Sequence, residues 1–241
     1  MKCLLKELIK WSLQCKLLSQ LWDHLEALGT YALQQRRATI LHYSTAEQNR
    51  ILDLIRKIKE KNQMLLSEGE AFQLFMAVKS TEKISGDFAE VGTYRGGSAR
   101  LICEAKGERV LHLFDTFDGL PEVGEMDSSW FHKGKYAAPL REVSSVVQGF
   151  KNVHIHRGIF PGTGEAIKGR SFSFIHLDVD TYESTLNSFK FFYPLVNRGG
   201  MILSHDYQSA RGVRKAIDEF MVDKPETVLP LTGEHCLIAK L

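Results

Sequence analysis

The chain has 241 residues, which suits one α/β domain with an additional segment, because domains commonly contain about 100–200 residues. Its formal net charge is +2, and it has no basic stripe with interleaved aromatic residues, so nucleic-acid binding is not expected. The four cysteines lack the paired spacing of a zinc site or a disulfide framework, which indicates reduced thiols and a cytoplasmic protein.

The first element in chain order is a predicted amphipathic helix. Lys6, Glu7 and Lys10 interrupt its apolar residues and exclude a secretory signal. The apolar residues follow the steps of a heptad seam: Leu4, Leu8, Trp11, Cys15, Leu18, Trp22 and Leu25. This spacing predicts a helix that packs on the domain or on a second subunit, and we therefore expect a homodimer. The alternative is a basic amphipathic helix on a membrane surface, because the lysines lie off the seam.

The pattern of the sequence changes near Gly86. Before it, helices are predicted over Thr45–Lys61 and Glu68–Lys79. After it, short apolar runs alternate with glycine turns and amphipathic segments, which is the pattern of a parallel sheet covered by helices. The predicted strands are Asp87–Val91, Val110–Asp115, Val153–Arg157, Ser173–Asp178, Met201–Ser204, Glu226–Leu229 and Cys236–Ala239. The predicted helices between them are Ser98–Lys106, Pro139–Gln148, Glu183–Val196 and Ala210–Val222.

This order of elements predicts a doubly wound α/β fold. We expect a seven-stranded, mostly parallel sheet that ends in an antiparallel hairpin. The chain then divides into a helical extension over residues 1–67 and a sheet domain over residues 68–241.

A glycine-rich turn follows the first strand, in the segment Phe88-Ala-Glu-Val-Gly-Thr-Tyr-Arg-Gly-Gly-Ser98. Glycine permits φ > 0 and a close approach of ligand to backbone, and the start of the next helix offers free N–H groups. The turn therefore predicts a nucleotide-like ligand at the carboxyl edge of the sheet. The G-x-G-x-x-G pattern is absent, and Glu90 would repel a pyrophosphate but suits an ammonium group. These features indicate a ligand with an amino-acid end and an adenosine end, held by Glu90, Gly92, Thr93, Tyr94, Gly96, Gly97 and Ser98.

The second strand ends in another candidate ligand-binding segment, Leu113-Phe-Asp-Thr-Phe-Asp-Gly-Leu-Pro121. Asp115 follows the glycine turn by about 20 residues, where an acidic side chain binds a ribose diol. Phe117 could cover an adenine face. Alternatively, Asp115 only caps the following turn and Phe117 only belongs to the core. The predicted contacts to this ligand also include Thr116, Gly158 and Asp178.

Acidic residues and a histidine follow the fourth and fifth strands. Asp178 and Asp180 share one face of an extended chain, and His205 and Asp206 end the fifth strand. Because parallel strands end at the same edge, these groups are expected beside the ligand. Asp178, His205 and Asp206 are candidate ligands of a divalent ion such as Mg²⁺, and Asp180 or His205 is a candidate base for a substrate hydroxyl. Alternatively, the aspartates only cap strand-to-helix turns.

From about Glu68 to its C-terminus, the chain resembles the macrocin O-methyltransferase family. The matching motifs are Gly86-Asp-Phe-Ala-Glu-Val-Gly-Thr-Tyr-Arg-Gly-Gly-Ser98, Phe114-Asp-Thr-Phe-Asp-Gly-Leu-Pro121, Leu177-Asp-Val-Asp-Thr-Tyr-Glu-Ser-Thr185, Tyr193-Pro194 with Gly199-Gly200, and His205-Asp-Tyr207. The resemblance implies a class I, Rossmann-like methyltransferase fold and S-adenosylmethionine as methyl donor, often with Mg²⁺. It implies methyl transfer to a sugar hydroxyl, with Asp178 and Asp206 as metal ligands and Asp180 as a candidate base. In related enzymes, segments like residues 1–67 shape the acceptor pocket and the dimer interface.

One position departs from the family pattern. Members with a demonstrated metal site carry two adjacent aspartates where this chain has His205-Asp206. A histidine nitrogen suits Mn²⁺, Fe²⁺ or Zn²⁺ better than Mg²⁺. Alternatively, His205 is itself the base of a metal-independent methyltransferase that acts on another small acceptor. A non-catalytic binding module is a third alternative, against which the crowded carboxylates argue.

The other histidines are weaker candidates for the site. His132 lies in the irregular stretch Glu122–Lys135, which is long enough for a lid and gives this residue a candidate role in substrate binding. His154, His156 and His176 fall on predicted strands, and we expect surface or core positions for them.

Overall fold

The computed structural model describes residues 45–61 and 63–241, and Thr45–Leu241 form one compact unit. The predicted heptad helix lies outside the described residues, so the homodimer stays a prediction. The helix at Ala46–Glu60, which the prediction assigned to the extension, packs on the two helices that follow it and belongs to this compact unit. Among the described helices, none is long and apolar enough to cross a bilayer.

The described elements alternate between helices and strands. The helices are α1 (Ala46–Glu60), α2 (Glu68–Ser80), α3 (Gly97–Ala105), α4 (Leu140–Val147), α5 (Tyr182–Phe192) and α6 (Arg211–Met221). The strands are β1 (Asp87–Val91), β2 (Leu111–Asp115), β3 (Val153–Arg157), β4 (Phe172–Leu177), β5 (Val196–Ser204), β6 (Leu229–Pro230) and β7 (Cys236–Ala239). Short 3-10 helices cover Gly162–Ile167 and Tyr193–Leu195.

The strands form a seven-stranded sheet in the order β3-β2-β1-β4-β5-β7-β6. Strands β1 to β5 pair in parallel, and β7 is antiparallel to both β5 and β6. Val91 pairs with Phe114 on one side and with Leu177 on the other, and Leu177 pairs with Ser204. The prediction of a doubly wound, mostly parallel sheet is confirmed, and the ends of β1, β2, β4 and β5 meet at one edge.

Helices cover the two faces of the sheet. Alternate residues of a strand point to opposite faces. On one face, Ile175 and Leu177 of β4 belong to a buried cluster that includes residues of α5 and α6. On the other face, the ring of Phe174 packs against Phe88, and helices α1 to α4 contact one another in sequence. Both faces of the central strands are therefore buried, as expected of a parallel sheet.

Three boundaries differ from the prediction by more than one residue. Strand β5 begins before its predicted start, because its glycine turn pairs with the end of the chain, where Gly199 N–H donates to the Lys240 carbonyl at 2.7 Å. Helix α5 ends early, because the following turn contains Pro194, which cannot continue the helical hydrogen bonds. Glu226 is not in a strand; its buried carboxylate binds Lys240 at 2.8 Å and the hydroxyl of Tyr193.

Candidate active site

A cavity opens at the carboxyl edge of the sheet, where β1, β2, β4 and β5 end. Its empty volume is about 1120 Å³, including the open mouth. Its wall contains the following predicted site residues: Gly92, Thr93, Tyr94, Ser98, Asp115, Thr116, Gly158, Asp178, Asp180, His205 and Asp206. The glycine turn, the candidate ribose-binding aspartate and the acidic cluster therefore share one cavity.

Gly92 and Asp115 hold the turn after β1. Gly92 has a φ of 85°, and a Cβ atom there would overlap the main-chain carbonyl group of Asp178. One carboxylate oxygen of Asp115 accepts hydrogen bonds from the main-chain N–H groups of Thr93 and Tyr94 at 2.8 and 3.0 Å. The other oxygen accepts from the N–H group of Phe117 at 2.7 Å. Asp115 thus caps its own turn and also fixes the loop after β1, while it stays in the cavity wall.

Gly96 and Gly97 lie outside the cavity wall, contrary to the predicted ligand contact. Gly96 is the N-cap of α3 and has a φ of 83°. The N–H group of Gly97 donates to the carbonyl of Gln63 at 3.0 Å, and a Cβ atom on Gly97 would lie 2.5 Å from that oxygen. A Cβ atom on Gly96 would contact Val143 and Val146 of α4, and the space over Gly97 is filled by another chain segment. That segment, residues 63–66, forms part of the wall, and no local motif in the sequence indicated this.

Glu90 also lies outside the wall, beneath the turn. It is fully buried, and its Oε1 atom lies 2.9 Å from Nδ1 of His176. Burial raises the pKa of Glu90, and the neighbouring His176 offsets this only in part. Glu90 thus pairs with His176 and does not line the cavity, and its contact with a ligand ammonium group stays a prediction.

Phe117 belongs to the core, which the sequence left as one of two interpretations. It has a φ of 61°, is 6% exposed and does not line the cavity. The apolar part of the wall comes from other residues, which sequence reasoning missed: Met64, Leu120, Pro121, Tyr136, Ile159 and Phe160. These residues come from the loops after β2 and β3 and from the chain before α2, so their meeting depends on the tertiary fold.

The acidic cluster forms around His205. The Nδ1 atom of His205 lies 3.4 Å from Oδ1 of Asp178 and 3.2 Å from Oδ1 of Asp206. Its Nε2 atom lies 3.9 Å from Oε1 of Glu70, a residue of α2 that the sequence did not indicate. Asp180 lines the same part of the cavity with a φ of 62°. The four predicted residues Asp178, Asp180, His205 and Asp206 therefore lie together, and Glu70 adds a carboxylate on the other side of the His205 ring.

The charges of the cluster shift its pKa values in opposite directions. Burial alone would lower the pKa of His205, but the carboxylates of Asp178 and Asp206 raise it well above its ordinary value. Burial and the same two carboxylates raise the pKa of Asp180 well above its usual range. Burial favours neutral Asp178, but the charge on His205 lowers the pKa of Asp178 overall. The cluster therefore favours an imidazolium at His205 beside the ionised carboxylate of Asp178, whereas Asp180 takes up a proton more readily than Asp178 does.

The donor atoms of the cluster fit a divalent cation. Asp178, His205 and Asp206 each offer one ligand atom, and these atoms lie within 4.8 Å of one another. The Nδ1 atom of His205 is buried and has no hydrogen-bond partner of regular geometry. A cation would satisfy this nitrogen and both carboxylates, and a mixed nitrogen and oxygen set suits Mn²⁺, Fe²⁺ or Zn²⁺ better than Mg²⁺. The described part of the chain contains no other such group of three.

The other histidines in the described part of the chain do not line the cavity. His132 is exposed, and its Nδ1 atom lies 3.2 Å from the carbonyl oxygen of Lys133. His154 is exposed and His176 is fully buried, as expected. His156 is half-buried and lies 3.0 Å from the ring of His112. From the loop that carries His132, the cavity receives Tyr136 instead.

Comparison with known proteins identifies relatives of this chain. A model of the macrocin-O-methyltransferase (TylF) family matches residues 70–229. The chain is 31% identical over 141 residues to the 8-demethyl-8-(2,3-dimethoxy-alpha-L-rhamnosyl)-tetracenomycin-C 4'-O-methyltransferase of Streptomyces olivaceus, covering 52% of this chain and 54% of that protein. It is 27% identical over 154 residues to the demethyldecarbamoylnovobiocin O-methyltransferase of Streptomyces niveus, covering 57% and 58%. The chain thus spans little more than half the length of these curated relatives.

Solved structures share the fold. The O-methyltransferase NovP superposes with a TM-score of 0.64 at 22% identity, covering 74% of this chain and 82% of that chain. The calicheamicin methyltransferase CalS11 superposes with a TM-score of 0.63 at 14% identity, covering 82% and 94%. At these identities the superpositions bear on the fold alone. The family match, which extends over most of the described residues, decides the membership: this chain belongs to the macrocin-O-methyltransferase (TylF) family.

Proposed function

We propose that this chain is an S-adenosylmethionine-dependent O-methyltransferase that acts on a hydroxyl group of a small molecule, such as a sugar or a natural-product glycoside. The observation that carries the proposal is that one cavity contains the turn of Gly92, the carboxylate of Asp115 and the acidic cluster. A donor site and a site for proton removal are thereby adjacent. The names of the two Streptomyces relatives, which describe O-methylation of a rhamnosyl group and of a novobiocin precursor, support a glycoside as acceptor.

The donor fits the wall between β1 and β3. Gly92 leaves the backbone open to close approach, and Asp115 directs a carboxylate into the cavity where a ribose diol would bind. Thr116 and Gly158 border the same part, and Ile159 and Phe160 supply apolar surface for an adenine ring. When bound, S-adenosylmethionine supplies the methyl group, whose bond to sulfur breaks as its bond to the acceptor oxygen forms.

Asp180 is the proposed base. The raised pKa of Asp180 makes its carboxylate a stronger base than an ordinary aspartate, which suits the uptake of a proton from the acceptor hydroxyl. Without a bound cation, the carboxylates of Asp178 and Asp206 raise the pKa of His205 and favour its protonated form, which makes it the weaker candidate of the two predicted bases. A bound cation would replace that proton. Asp178, His205 and Asp206 would hold a divalent cation, and that cation would lower the pKa of the acceptor hydroxyl. The neighbouring side chains then orient the hydroxyl for in-line attack, where positioning supplies much of the rate.

Two measurements test the proposal. Calorimetric titration with S-adenosylhomocysteine, with Mg²⁺, with Mn²⁺ and with a chelator, is expected to give micromolar binding. Incubation with methyl-labelled S-adenosylmethionine and rhamnosides such as methyl α-L-rhamnoside or TDP-rhamnose is expected to label the sugar. No binding of S-adenosylhomocysteine under any condition would contradict the methyltransferase function. Labelling that persists in chelator would favour the metal-independent form of the same reaction, in which His205 is the cation beside both carboxylates.

A further inference from the structure

We propose that Glu70 is a positioning residue for His205, which sets the orientation of the imidazole ring from outside the cavity. This inference rests on the proposed function, because the ring borders the site of proton removal. Glu70 lies in the first turn of α2, is 7% exposed and does not line the cavity. It therefore acts on His205 without touching a ligand.

The carboxylate of Glu70 is itself held in place by main-chain groups. Its Oε2 atom accepts the N–H group of Ser67 at 2.8 Å, which is one half of the capping box of α2. Its Oε1 atom accepts the N–H group of Glu234 at 2.8 Å, in the turn between β6 and β7. A Cβ atom on Gly233 would lie 2.5 Å from the same oxygen. Both oxygens are thus anchored, and the carboxylate has one position.

His205 lies between this fixed carboxylate and the cluster. Its Nε2 atom faces Oε1 of Glu70 at 3.9 Å, and its Nδ1 atom faces Asp178 and Asp206. A ring with a carboxylate at each nitrogen cannot rotate by a half turn about its Cβ–Cγ bond without losing the pairing at both ends. A carboxylate at the outer nitrogen of a catalytic or metal-binding histidine commonly fixes the orientation of the ring, and its loss commonly costs about 10- to 100-fold.

A second contact from α2 supports the same arrangement. Gln73 lies one helical turn after Glu70, and its Oε1 atom lies 3.1 Å from Nδ1 of the fully buried His235. The ring of His235 packs edge-on against the ring of His205, with centroids 5.1 Å apart and an angle of 77°. The first turns of α2 and the turn before β7 therefore enclose His205 on the side away from the cavity.

The test compares Glu70→Gln with Glu68→Gln in the full chain. Glutamine can keep the capping box through its one acceptor oxygen, as Gln48 does in the capping box of α1. It removes the charge beside Nε2 of His205 and the acceptor of the Glu234 N–H group. Glu68 is in the same turn, and its carboxylate pairs with Arg56 at 3.4 Å instead, so it is the matched control. The ring nitrogens are followed by NMR of protein labelled with ¹⁵N-histidine, with the His205 signals assigned from His205→Asn.

The expected result is that Glu70→Gln shifts the His205 nitrogen signals and lowers kcat for labelling of a rhamnoside by about 10-fold or more, whereas Glu68→Gln changes neither. The Kd for S-adenosylhomocysteine stays within about twofold, because Glu70 is outside the cavity. If Glu70→Gln does not fold, Glu70→Asp, which draws the carboxylate back by one methylene, is expected to shift the same signals. Unchanged His205 signals in a folded Glu70 variant would overturn the inference, and wild-type protein without methyl transfer would instead contradict the proposed function.

Discussion

The main-chain carbonyl of Asp178 lies directly against Gly92, so that the end of β4 fills the space where a side chain at position 92 would begin. The N–H group of Asp178 also donates to the carbonyl of Val91 at 2.9 Å. The donor turn after β1 and the acidic cluster after β4 are therefore packed on each other through their backbones. A change at one is expected to disturb the other.

Gly92→Ala is expected to weaken the binding of S-adenosylhomocysteine by at least about 10-fold, because the added methyl group must displace either the turn or the end of β4. Gly162→Ala is the control, since a Cβ atom there meets nothing within 4 Å. Calorimetric titration and thermal unfolding of both variants check the prediction. Equal affinity in the two variants would show that the close contact has no bearing on the donor site.

Asp115→Asn is expected to raise the Kd of S-adenosylhomocysteine by about 10- to 100-fold, which is roughly 1.4 to 2.7 kcal/mol. The amide retains one acceptor oxygen where the carboxylate offers two, so it cannot hold both the loop after β1 and the N–H group of Phe117. Asp118→Asn is the matched control, because that exposed side chain binds only Arg157 among the described residues. If the two variants bind alike, Asp115 has no role in the donor site.

Asp180→Asn is expected to lower kcat for methyl transfer by about 100-fold or more, while the Kd for S-adenosylhomocysteine stays nearly constant. The amide occupies the same space but cannot accept the proton of the acceptor hydroxyl. Glu183→Gln, an exposed change at the start of α5, serves as control. Steady-state rates with a labelled rhamnoside measure the difference. A Kd that rises in step with the loss of kcat would assign Asp180 to ligand binding rather than to proton removal.

His112→Gln is expected to make folding less sensitive to acid. Burial lowers the pKa of His112 to about 4 in the folded protein, below the ordinary histidine value. Between these two values the unfolded chain binds more protons, so the contribution of His112 is present at neutral pH and is lost as the pH falls towards 4. The slope of unfolding free energy against pH is proportional to the difference in bound protons between the unfolded and folded states. In this window the variant should reduce that difference by up to about one proton.

Urea unfolding at a series of pH values measures this slope. The exposed His132 provides the control, as His132→Gln. The neighbouring contacts of His112, to Asp87 at 3.3 Å and to His156 at 3.0 Å, are lost in the variant, so its stability at neutral pH should also fall. The same slope in wild type and in His112→Gln would assign the acid sensitivity to other groups.

The fold could be predicted from the sequence because its signals are local. Alternation of short apolar runs with amphipathic segments identified the strands and helices, and parallel strands necessarily end at one edge. For that reason, the sequence alone places five polar residues at one site, at or just after the ends of strands: Asp115, Asp178, Asp180, His205 and Asp206. The boundaries that differed were set by Pro194 and by the pairing of Gly199 with Lys240, the second of which is a contact between distant parts of the chain.

The tertiary structure alone decided which residues of the motifs face the cavity. Gly97 lies in a glycine-rich turn of the kind that binds ligands, but the space over it is occupied by the carbonyl of Gln63. The side chain of Glu90 on β1 points to a buried face of the sheet and contacts His176 on the neighbouring strand β4. Glu70 reaches His205 from a helix 135 positions earlier in the chain. Local spacing determines which element a residue occupies, but burial and side-chain contacts depend on the neighbours that folding brings beside it.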